Sequence, residues 1–323
     1  MYKLSLVVSI YNIEQYVGRS IESLLNQNSK EYEIILIDDG STDRTSEICK
    51  AYAKNDDRIT YYFKKNGGLS SARNYGLTKS RGEYVFFIDG DDYIEKNSVS
   101  KIIDLIQVNN LDMLHINYRE VDDNKKVLKE FIDNNSLEGK IYTGEDWVQQ
   151  ARFVTMAWAY VFKKDFLINN GLTFYEGIYH EDMEFTPRAI SKAKKIQFIS
   201  TPVYNYVIRA GSIIRSCNIK KAYDLLIVAK NLEKFRMAEG SNLTIHKFLT
   251  DRISYTYWIS ILSVYTQNGK YNEFFKDEKV KSDILRGLAT KKSFKYKCAY
   301  TAIKYKRYMF IKIMCKYKVN RGN

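Results

Sequence analysis

The amino-acid sequence predicts an α/β fold: a Rossmann-like, mostly parallel sheet flanked by helices and followed by a helical C-terminal region. Along the first half, short apolar runs typical of strands buried on both faces alternate with segments whose apolar residues recur at helical spacing. Acidic clusters at Asp38–Asp39 and Asp89–Asp92 directly follow two of these runs. Because ligands of parallel sheets bind beyond the carboxyl ends of the strands, the clusters indicate a site at that edge.

The first half supplies most of the predicted strands. Leu4–Ile10 is a continuous apolar run, and the next segment has Val17, Ile21 and Leu24 at helical spacing. Asp43 stands in the first turn of the following predicted helix, where a negative charge is favourable. The predicted strands are Leu4–Ile10, Glu33–Ile37, Ile59–Phe63, Glu83–Ile88, Met113–Tyr118 and Ile196–Val207. The predicted helices are Tyr16–Gln27, Asp43–Ala53, Ser70–Lys79, Asn97–Asn109, Ala157–Asn169 and Glu181–Ala193.

The regular alternation stops after the fifth strand. Arg119–Lys140 is polar and charged, and it is expected to be a mobile excursion. From Lys220 to Leu288 the pattern is helical, with breaks at Gly240 and Asn268. The chain is therefore expected to comprise an α/β domain over residues 1–215, a helical region over 216–290 and a basic tail over 291–323.

Composition excludes several classes of protein. Hydrophobic residues make up 45% of the chain, which excludes a disordered protein. The four cysteines, Cys49, Cys217, Cys298 and Cys315, lack the C-x-x-C spacing of a zinc site and fit a reducing compartment. The N-terminal apolar run is too short for a signal peptide, and no stretch reaches the ~18 uncharged apolar residues of a spanning helix. A cytosolic location is expected.

The net charge of +13 is concentrated at the C-terminus. Lys291–Asn323 contains eleven basic residues and no acidic one, which leaves a net charge of +2 for the rest of the chain. A basic amphipathic helix fits an anionic bilayer, so we expect peripheral binding to the inner face of the cytoplasmic membrane. A helix packed on the fold is the second interpretation. Nucleic acid is the third, and no such partner is expected because no nucleic-acid module is present. The apolar arc of this helix comprises Ala302, Ile303, Met309, Phe310, Ile313, Met314 and Tyr317.

The tetrapeptide Asp89–Asp92 is the strongest candidate site. Carboxylates packed at a strand end repel one another, so a cation is expected to compensate their charge. A hard ion with oxygen ligands, Mg²⁺ or Mn²⁺, that bridges to a diphosphate suits this need. A solvated acidic turn explains the tetrapeptide alone equally well.

Three further motifs each have a functional and a purely local interpretation. In Asp38–Asp43, Asp39 is able to accept a hydrogen bond from a nucleobase, whereas the alternative is turn and helix-cap chemistry. In Asn66–Asn74, paired glycines let the backbone approach a phosphate or ribose beside Arg73, whereas the alternative is a strand–helix turn. In His180–Phe185, a carboxylate at a helix start can deprotonate an acceptor hydroxyl, whereas the alternative is the usual acidic bias of helix N-termini.

The order and spacing of these motifs resemble the inverting family 2 glycosyltransferases of bacteria, which build capsule, cell-wall and exopolysaccharide chains. The resemblance is close from Lys3 to Asn97 and looser to Ser212. It implies a glycosyltransferase A-type (GT-A) fold, a nucleotide-sugar donor, a hydroxyl acceptor on a glycan or lipid-linked chain, and a Mn²⁺ or Mg²⁺ cofactor. The motifs that carry it are Val8–Asn12, Ile37–Asp43, Asn66–Asn74, Gly82–Val85, Asp89–Asp92 and Glu181–Asp182.

The resemblance also implies roles for individual residues. It assigns the general base to Asp182, with Glu181 beside it. It assigns uracil recognition to Ser9, Tyr11 and Asp39, so the donor is expected to be a UDP-sugar. The other implied nucleotide-binding residues are Asn66, Gly68, Arg73, Asp91 and Arg209; the implied metal ligands are Asp92, Asp91 and Asp89; and Trp158 and His180 are expected near the acceptor.

One departure from the family pattern and two rival functions bear on these roles. Relatives often have two basic residues before the Gly211–Ser212 pair, whereas here Arg209 stands alone. A nucleotidyltransferase also uses a metal and an α/β sheet, but it gives no reason for Glu181–Asp182. The non-enzymatic rival is a glycosyltransferase-like subunit that binds nucleotide or a partner without turnover, and the intact Asp92 and Asp182 argue against it.

Overall fold

The chain forms two compact units. The structure is a computed structural model that describes residues 2–130, 137–151, 154–209, 218–240, 242–265, 271–290, 294–308, 310–311 and 314. The first unit comprises Met1–Gly177 and Arg188–Ser212, and the second comprises Ile178–Pro187 and Ile213–Asn323. The division expected from the sequence, with boundaries at residues 215 and 290, stays a prediction. Local patterns gave no indication that a short segment near residue 180 belongs to the second unit.

One sheet organises the first unit. Its nine strands, counted among the described residues, lie in the order β3-β2-β1-β4-β8-β6-β9-β5, with β7 paired to β6. The strands are β1 (Leu4–Ile10), β2 (Tyr32–Asp38), β3 (Ile59–Phe63), β4 (Tyr84–Asp89), β5 (Tyr93–Ile94), β6 (Met113–Val121), β7 (Val127–Glu130), β8 (Tyr160–Lys163) and β9 (Ile196–Val207). The expected α/β architecture is confirmed.

Half of the sheet is parallel and half is mixed. β1 lies between β2 and β4, and both pairings are parallel, as is the pairing of β2 with β3. Every residue of β1 and β2 is buried, as expected for strands covered on both faces. In the other half β6 pairs in parallel with β9, whereas β8 runs antiparallel to both β4 and β6. The parallel half therefore brings the carboxyl ends of β1, β2 and β4 to one edge.

The helical prediction for Ala157–Asn169 is wrong in its centre. A 3₁₀ turn at Ala157–Ala159 leads into strand β8, and only Lys164–Asn169 is α-helical. Tyr160, Val161 and Phe162 are fully buried between β4 and β6. Aromatic and β-branched side chains fit a pleated, buried surface, so packing within the sheet decides the conformation. The polar excursion expected after Tyr118 is partly structured too, because β6 continues to Val121 and pairs with β7.

Helices flank the sheet and form the second unit. The helices before the C-terminal region are α1 (Val17–Leu25), α2 (Thr45–Asn55), α3 (Leu69–Lys79), α4 (Ser98–Asn109), α5 (Gly144–Gln150), α6 (Lys164–Asn169) and α7 (Glu181–Lys192). The C-terminal region contains α8 (Ile219–Ala238), α9 (Leu243–Tyr265), α10 (Tyr271–Lys276), α11 (Glu278–Ala289) and α12 (Phe294–Lys304). The predicted helical C-terminal region is confirmed. Among these described helices, none combines the length and the apolar character that crossing a bilayer requires.

The described part of the tail is not one continuous amphipathic helix. α12 ends where Lys306 adopts φ +53°, with Lys306 N donating to Ile303 O at 3.1 Å and Arg307 N donating to Ala302 O at 2.7 Å. This pair of bonds is the Schellman arrangement that terminates helices. Ala302 and Ile303 of the predicted apolar arc are buried, whereas Phe310 is 49% exposed. Met309, Ile313 and Tyr317 lie outside the described residues.

Candidate functional site

The ends of β1 and β4 meet at the first acidic turn. Ser9 is in register with Asp89, and Gly90 N donates to Ser9 O at 3.0 Å. A Cβ at Gly90 would lie 2.7 Å from Ile13 Cδ1 and 2.9 Å from Ser9 O, so only glycine fits this turn. The Ser9 hydroxyl is buried and, within the described part of the chain, has no hydrogen-bond partner.

Asp92 is enclosed by β9. Its Oδ2 accepts a hydrogen bond from Tyr204 Oη at 2.7 Å, and its Oδ1 accepts one from Val207 N at 2.8 Å. The Tyr204 hydroxyl also accepts a hydrogen bond from Asp89 N at 3.1 Å, so one phenol is bonded to the first and the last residue of the turn. Asp92 is 1% exposed, and burial, together with the neighbouring charges of Asp91 and Asp89, raises its pKa well above the ordinary value. Asp92 therefore acts in this structure as the internal anchor of the turn.

Asp89 and Asp91 are the more open carboxylates of the turn. Their side chains are 24% and 25% exposed, and each one pairs with a guanidinium. Arg73 Nη2 lies 2.9 Å from Asp89 Oδ1, and Arg209 Nε lies 2.6 Å from Asp91 Oδ2. Arg19 Nη2 donates to the backbone oxygen of Asp91 at 3.2 Å. The turn thus presents two partly exposed anions among three arginines.

The three carboxylates do not form a ready-made metal centre. Within the described ranges, no three His, Cys, Asp or Glu side chains are grouped so that they could hold an ion. Asp92, expected as a principal ligand, has a hydrogen bond on each oxygen and is buried. Asp89 and Asp91 fit a divalent cation better, because Mg²⁺ and Mn²⁺ take few protein carboxylates and complete their shells with water and phosphate oxygens.

Asp39 organises the glycine-rich loop. Its carboxylate accepts hydrogen bonds from Lys64 Nζ at 2.5 Å, from Gly67 N at 2.9 Å and from Gly68 N at 2.7 Å. Asn66 Nδ2 donates to Asp39 O at 2.9 Å. Gly68 has φ +85°, which L side chains rarely adopt, and it is the residue before α3. Asp39, Asn66 and Gly68 are therefore in contact, with the Asp39 carboxylate already occupied by donors of this protein, and their expected role in nucleotide binding stays a prediction.

An exposed aromatic ring stands at the end of β1. Tyr11 is 49% exposed. The next residue, Asn12, has φ +48°, and its side-chain oxygen accepts from Thr42 N at 2.8 Å. Asn12 N in turn donates to Ser41 Oγ at 3.1 Å, so the segments after β1 and β2 are joined. The Tyr11 ring is thus carried on an ordered turn and is open to a flat ligand.

Trp158 lies in an aromatic stack rather than on the surface. Its ring is 3% exposed and stacks on Tyr204 with a centroid distance of 4.4 Å and an interplanar angle of 6°. Tyr206 stacks at 5.6 Å, and the Tyr118 ring packs edge-on at 4.9 Å. The direct effect of Trp158 in this structure is to hold the ring of Tyr204, whose hydroxyl bonds Asp92. The acceptor contact expected for Trp158 stays a prediction.

His180, Glu181 and Asp182 lie in the second unit. Glu181 and Asp182 stand in the first turn of α7, where the helix N-terminus favours negative charge. His180 precedes them with φ +65°, and burial, aided by the charge of Lys221, lowers its pKa to about 4. The imidazole is therefore neutral near pH 7. Asp224 Oδ2 accepts from Tyr179 N at 2.9 Å, which fixes the chain just before this turn.

Sequence patterns missed several residues of the site. Tyr204 and Lys64 contact the motif carboxylates, and Arg19 contacts a backbone oxygen of the acidic turn. None of the three stands in a motif of its own. The Arg209 guanidinium lies over the ring of Tyr16, 5.0 Å from the ring centroid. Only three-dimensional proximity identifies these side chains. Ser212, expected in the same loop as Arg209, lies outside the described residues.

The sequence matches a known protein family. The model of glycosyl transferase family 2 matches residues 5–168, which is half of the chain and includes every acidic motif except Glu181–Asp182. The chain belongs to this family of glycosyltransferases, as the sequence motifs indicated, and its fold is the GT-A fold.

One curated relative agrees with this assignment, and two solved structures share the fold. An uncharacterized glycosyltransferase, EpsJ of Bacillus subtilis, is 33% identical over 207 residues, which are 63% of this chain and 60% of EpsJ. The crystal structure of S. aureus TarS residues 1–349 with UDP-GlcNAc superposes with a TM-score of 0.76 at 21% identity, covering 99% of this chain and 92% of that one. The mannosyltransferase PcManGT of Pyrobaculum calidifontis, solved with GDP-Man and Mn²⁺, gives a TM-score of 0.59 at 14% identity, covering 99% and 86%. These structural likenesses concern the fold alone.

Proposed function

We propose that this chain is an inverting glycosyltransferase that transfers a sugar from a UDP-sugar to a hydroxyl of a glycan or lipid-linked acceptor. The pathway proposed is capsule, cell-wall or exopolysaccharide synthesis. The observation that carries the proposal is the Asp89–Asp92 turn, in which two partly exposed carboxylates stand among arginines at the carboxyl ends of β1 and β4. This arrangement suits a diphosphate with a cation, because cation and guanidinium charges together neutralise it.

The donor nucleotide is proposed to bind along the edge formed by β1, β2 and β4. The open ring of Tyr11 suits stacking on the base, and the unpartnered hydroxyl of Ser9 suits a polar contact beside it. The N3–H of uracil is proposed to bond Asp39, which requires the base to displace one of the donors now held there. The other proposed nucleotide contacts are Asn66, Gly68, Arg73, Asp91 and Arg209.

Asp91 and Asp89 are the proposed protein ligands of a Mn²⁺ or Mg²⁺ cofactor. When bound, such an ion stabilises the negative charge of the departing nucleoside diphosphate. Asp92, proposed from the sequence as a ligand, is assigned a supporting role here: its hydrogen bonds with Tyr204 and Val207 hold the turn that carries the other two carboxylates. Support for a cofactor of this kind comes from the mannosyltransferase PcManGT, which shares the fold and was solved with Mn²⁺.

Asp182 is the proposed general base. It takes the proton of the acceptor hydroxyl while the hydroxyl oxygen attacks the anomeric carbon, and the bond to the diphosphate oxygen breaks on the opposite face. A single displacement inverts the configuration, and no covalent sugar–protein intermediate forms. Glu181 and His180 flank the base, and His180, being neutral, is proposed to offer the acceptor a hydrogen bond.

The direct test is a panel of nucleotide-sugars with Mn²⁺, in which released nucleoside diphosphate is measured without an acceptor. Slow hydrolysis of one UDP-sugar above the others is the expected result. Calorimetry with UDP, CDP and GDP is the companion measurement, and UDP is expected to bind most tightly. Tighter binding of GDP, or full activity in excess chelator, would refute the proposed donor site.

Asp182→Asn separates the base from donor binding. Because the base acts on the acceptor, the variant should bind UDP with nearly unchanged affinity and lose transfer by about 10²-fold or more. Asp165→Asn, which neutralises an acidic residue in the first turn of α6, is the matched control. Loss of UDP binding in Asp182→Asn, or transfer near that of the control, would require another base.

We further propose that the enzyme works at the inner face of the cytoplasmic membrane, where a lipid-linked acceptor would lie. The support is the tail of residues 291–323, with eleven basic residues and no acidic one. An anionic leaflet attracts such a segment by about 1 kcal/mol per basic residue near the surface.

A further inference from the structure

An apolar groove lies beside α12 in the second unit. Its volume is about 710 Å³, within the range of sites that bind small molecules. Phe294 and Phe310 line it, and these side chains are 82% and 49% exposed. Two phenylalanines this exposed on one groove leave apolar surface in contact with water, which is unfavourable.

The end of α12 builds this groove. Tyr296, Ala299 and Ile303 are buried, so one face of α12 is fixed against the unit. α12 ends before Lys306, and the next residue, Arg307, lines the groove together with residues of α12. Helix packing and a hydrogen-bonded helix end therefore shape the groove.

The polar side chains of the groove are cationic. Lys297 and Arg307 line it, and the described lining includes no Asp or Glu. The whole segment from residue 291 to 323 also lacks acidic residues. Apolar walls beside two basic side chains complement an amphiphile that has an aliphatic chain and an anionic head.

We propose that this groove binds an acyl chain of an anionic membrane lipid, with the lipid phosphate paired to Lys297 and Arg307. The inference deepens the proposed membrane location, on which it rests, because it replaces a general charge attraction by a defined lipid site. Charge attraction alone explains the basic residues but not the exposed phenylalanines. A bound anionic lipid explains both, because its head group pairs with the basic residues and its acyl chain contacts the phenylalanines.

Cys298 provides a chemical readout inside the groove. It is a half-buried free thiol that lines the groove, and Cys49 is fully buried with its pKa raised to about 12 by burial, so Cys49 will react slowly. Cys217→Ser and Cys315→Ser in the full chain leave Cys298 as the reactive thiol. The measurement is the rate of its alkylation by N-ethylmaleimide, with and without dodecyl phosphate below its micelle concentration.

Dodecyl phosphate is expected to slow alkylation of Cys298 at least fivefold. Dodecylphosphocholine, which has the same chain and a neutralised phosphate, should protect much less, and inorganic phosphate should not protect. Phe310→Ser and Arg307→Gln should each weaken the protection severalfold. Lys304→Gln, which removes a charge from the same helix outside the groove lining, should leave it unchanged.

Several outcomes would overturn the proposal. Equal protection by dodecylphosphocholine removes the role of the anionic head, and protection by inorganic phosphate alone removes the role of the chain. A thiol that is unreactive without any amphiphile means that this protein's own residues fill the groove. Protection by a short oligonucleotide but not by dodecyl phosphate identifies a nucleic-acid surface instead. Circular dichroism of each variant verifies folding, and Arg307→Gln carries the test if Phe310→Ser does not fold.

The test is independent of sugar transfer. Alkylation is measured without nucleotide, metal or acceptor, so an inactive protein still gives a valid result. Binding to phosphatidylglycerol vesicles tests the membrane location separately. If the vesicles bind but dodecyl phosphate gives no protection, the groove proposal fails and the membrane proposal stands. If dodecyl phosphate protects but vesicles do not bind, the groove binds an anionic amphiphile, and the proposal that this amphiphile is a membrane lipid fails.

Discussion

A guanidinium already compensates the charge of the Asp91 carboxylate. The Arg209–Asp91 pair is partly exposed, at 19% and 25%, and the Arg209 guanidinium also lies against the ring of Tyr16. Because Asp91 is the proposed cation ligand, Arg209 and a divalent cation compete for one carboxylate in the nucleotide-free protein. A diphosphate offers Arg209 another anion, so nucleotide and cation should bind cooperatively.

Arg209→Gln is therefore expected to raise the affinity for Mn²⁺ measured without nucleotide. A partly exposed ion pair contributes up to about 1 kcal/mol, which corresponds to a gain of up to about fivefold. The same variant should weaken UDP binding in the presence of Mn²⁺. Free Mn²⁺ is measured by electron paramagnetic resonance, and Arg44→Gln, which removes an arginine from an exposed pair with Glu47, is the control. Weaker or unchanged Mn²⁺ binding without nucleotide would contradict the competition.

His115 is a buried imidazole in an aromatic cluster. It stacks on Tyr160 at 4.8 Å and packs against Trp147 and Phe198. Within the described part of the chain neither ring nitrogen has a hydrogen-bond partner, and burial lowers the pKa of His115 to about 3. The unfolded chain binds a proton below about pH 6.5, whereas the folded protein does not until about pH 3. The stability that the neutral ring contributes is thus lost as the pH falls between these values.

His115→Phe should remove this part of the acid sensitivity. Between pH 7 and pH 5 the wild-type protein is expected to lose about 2 kcal/mol more of its unfolding free energy than the variant loses. Urea denaturation at both pH values measures the difference. His246→Phe, a change at a surface histidine of α9, is the control. Equal losses in His115→Phe and in the wild-type protein would show that His115 is protonated in the folded state.

At the scale of elements, β9 holds the acidic turn. Tyr204 and Val207 of this strand supply both hydrogen bonds to Asp92. Tyr204→Phe leaves a buried carboxylate oxygen without its donor, which costs about 1–3 kcal/mol of unfolding free energy. The variant should also bind UDP–Mn²⁺ more weakly, because Asp89 and Asp91 lose their anchored turn.

Two measurements check the role of β9: chemical denaturation and calorimetry with UDP and Mn²⁺. Tyr93→Phe is the matched control, since it removes a phenol from β5, the strand paired with β9, and leaves both hydrogen bonds to Asp92 in place. A Tyr204→Phe protein with the stability and UDP affinity of this control would exclude the anchoring role.

The same elements show what the sequence could predict. β1 and β2 were predictable because burial on both faces produces unbroken apolar runs, and the motifs at their ends share one edge because parallel register brings them there. β8 was not predictable, because a four-residue run resembles a helix segment until its two neighbours in the sheet are known. Tyr204 was not predictable either, since it bonds a residue 112 positions away. Local patterns thus identify the charged groups of the site but not the side chains that hold them.

At the scale of the whole molecule, the buried side chains and the charged side chains of the tail are different residues. Tyr296, Ala299 and Ile303 are buried, which is what a packed helix requires. Lys304, Lys306 and Arg307 are exposed, which is what attraction to an anionic surface requires. The two interpretations of the tail are therefore compatible, and they concern different side chains of one segment.

Truncation and charge reversal should accordingly have different effects. Deletion of residues 291–323 is expected to lower the unfolding free energy by about 3 kcal/mol or more, because it removes the buried side chains of α12.

The full chain with Lys304→Glu, Lys306→Glu and Arg307→Glu should keep its stability to within about 1 kcal/mol, since all three positions are exposed. It should nevertheless lose sedimentation with phosphatidylglycerol vesicles at low salt, where screening is weak. Neutral phosphatidylcholine vesicles are the control for non-specific sedimentation. A charge-reversed protein that still sediments with anionic vesicles would show that the tail's charge does not direct membrane binding, and a stable truncated protein would show that α12 is not part of the packed second unit.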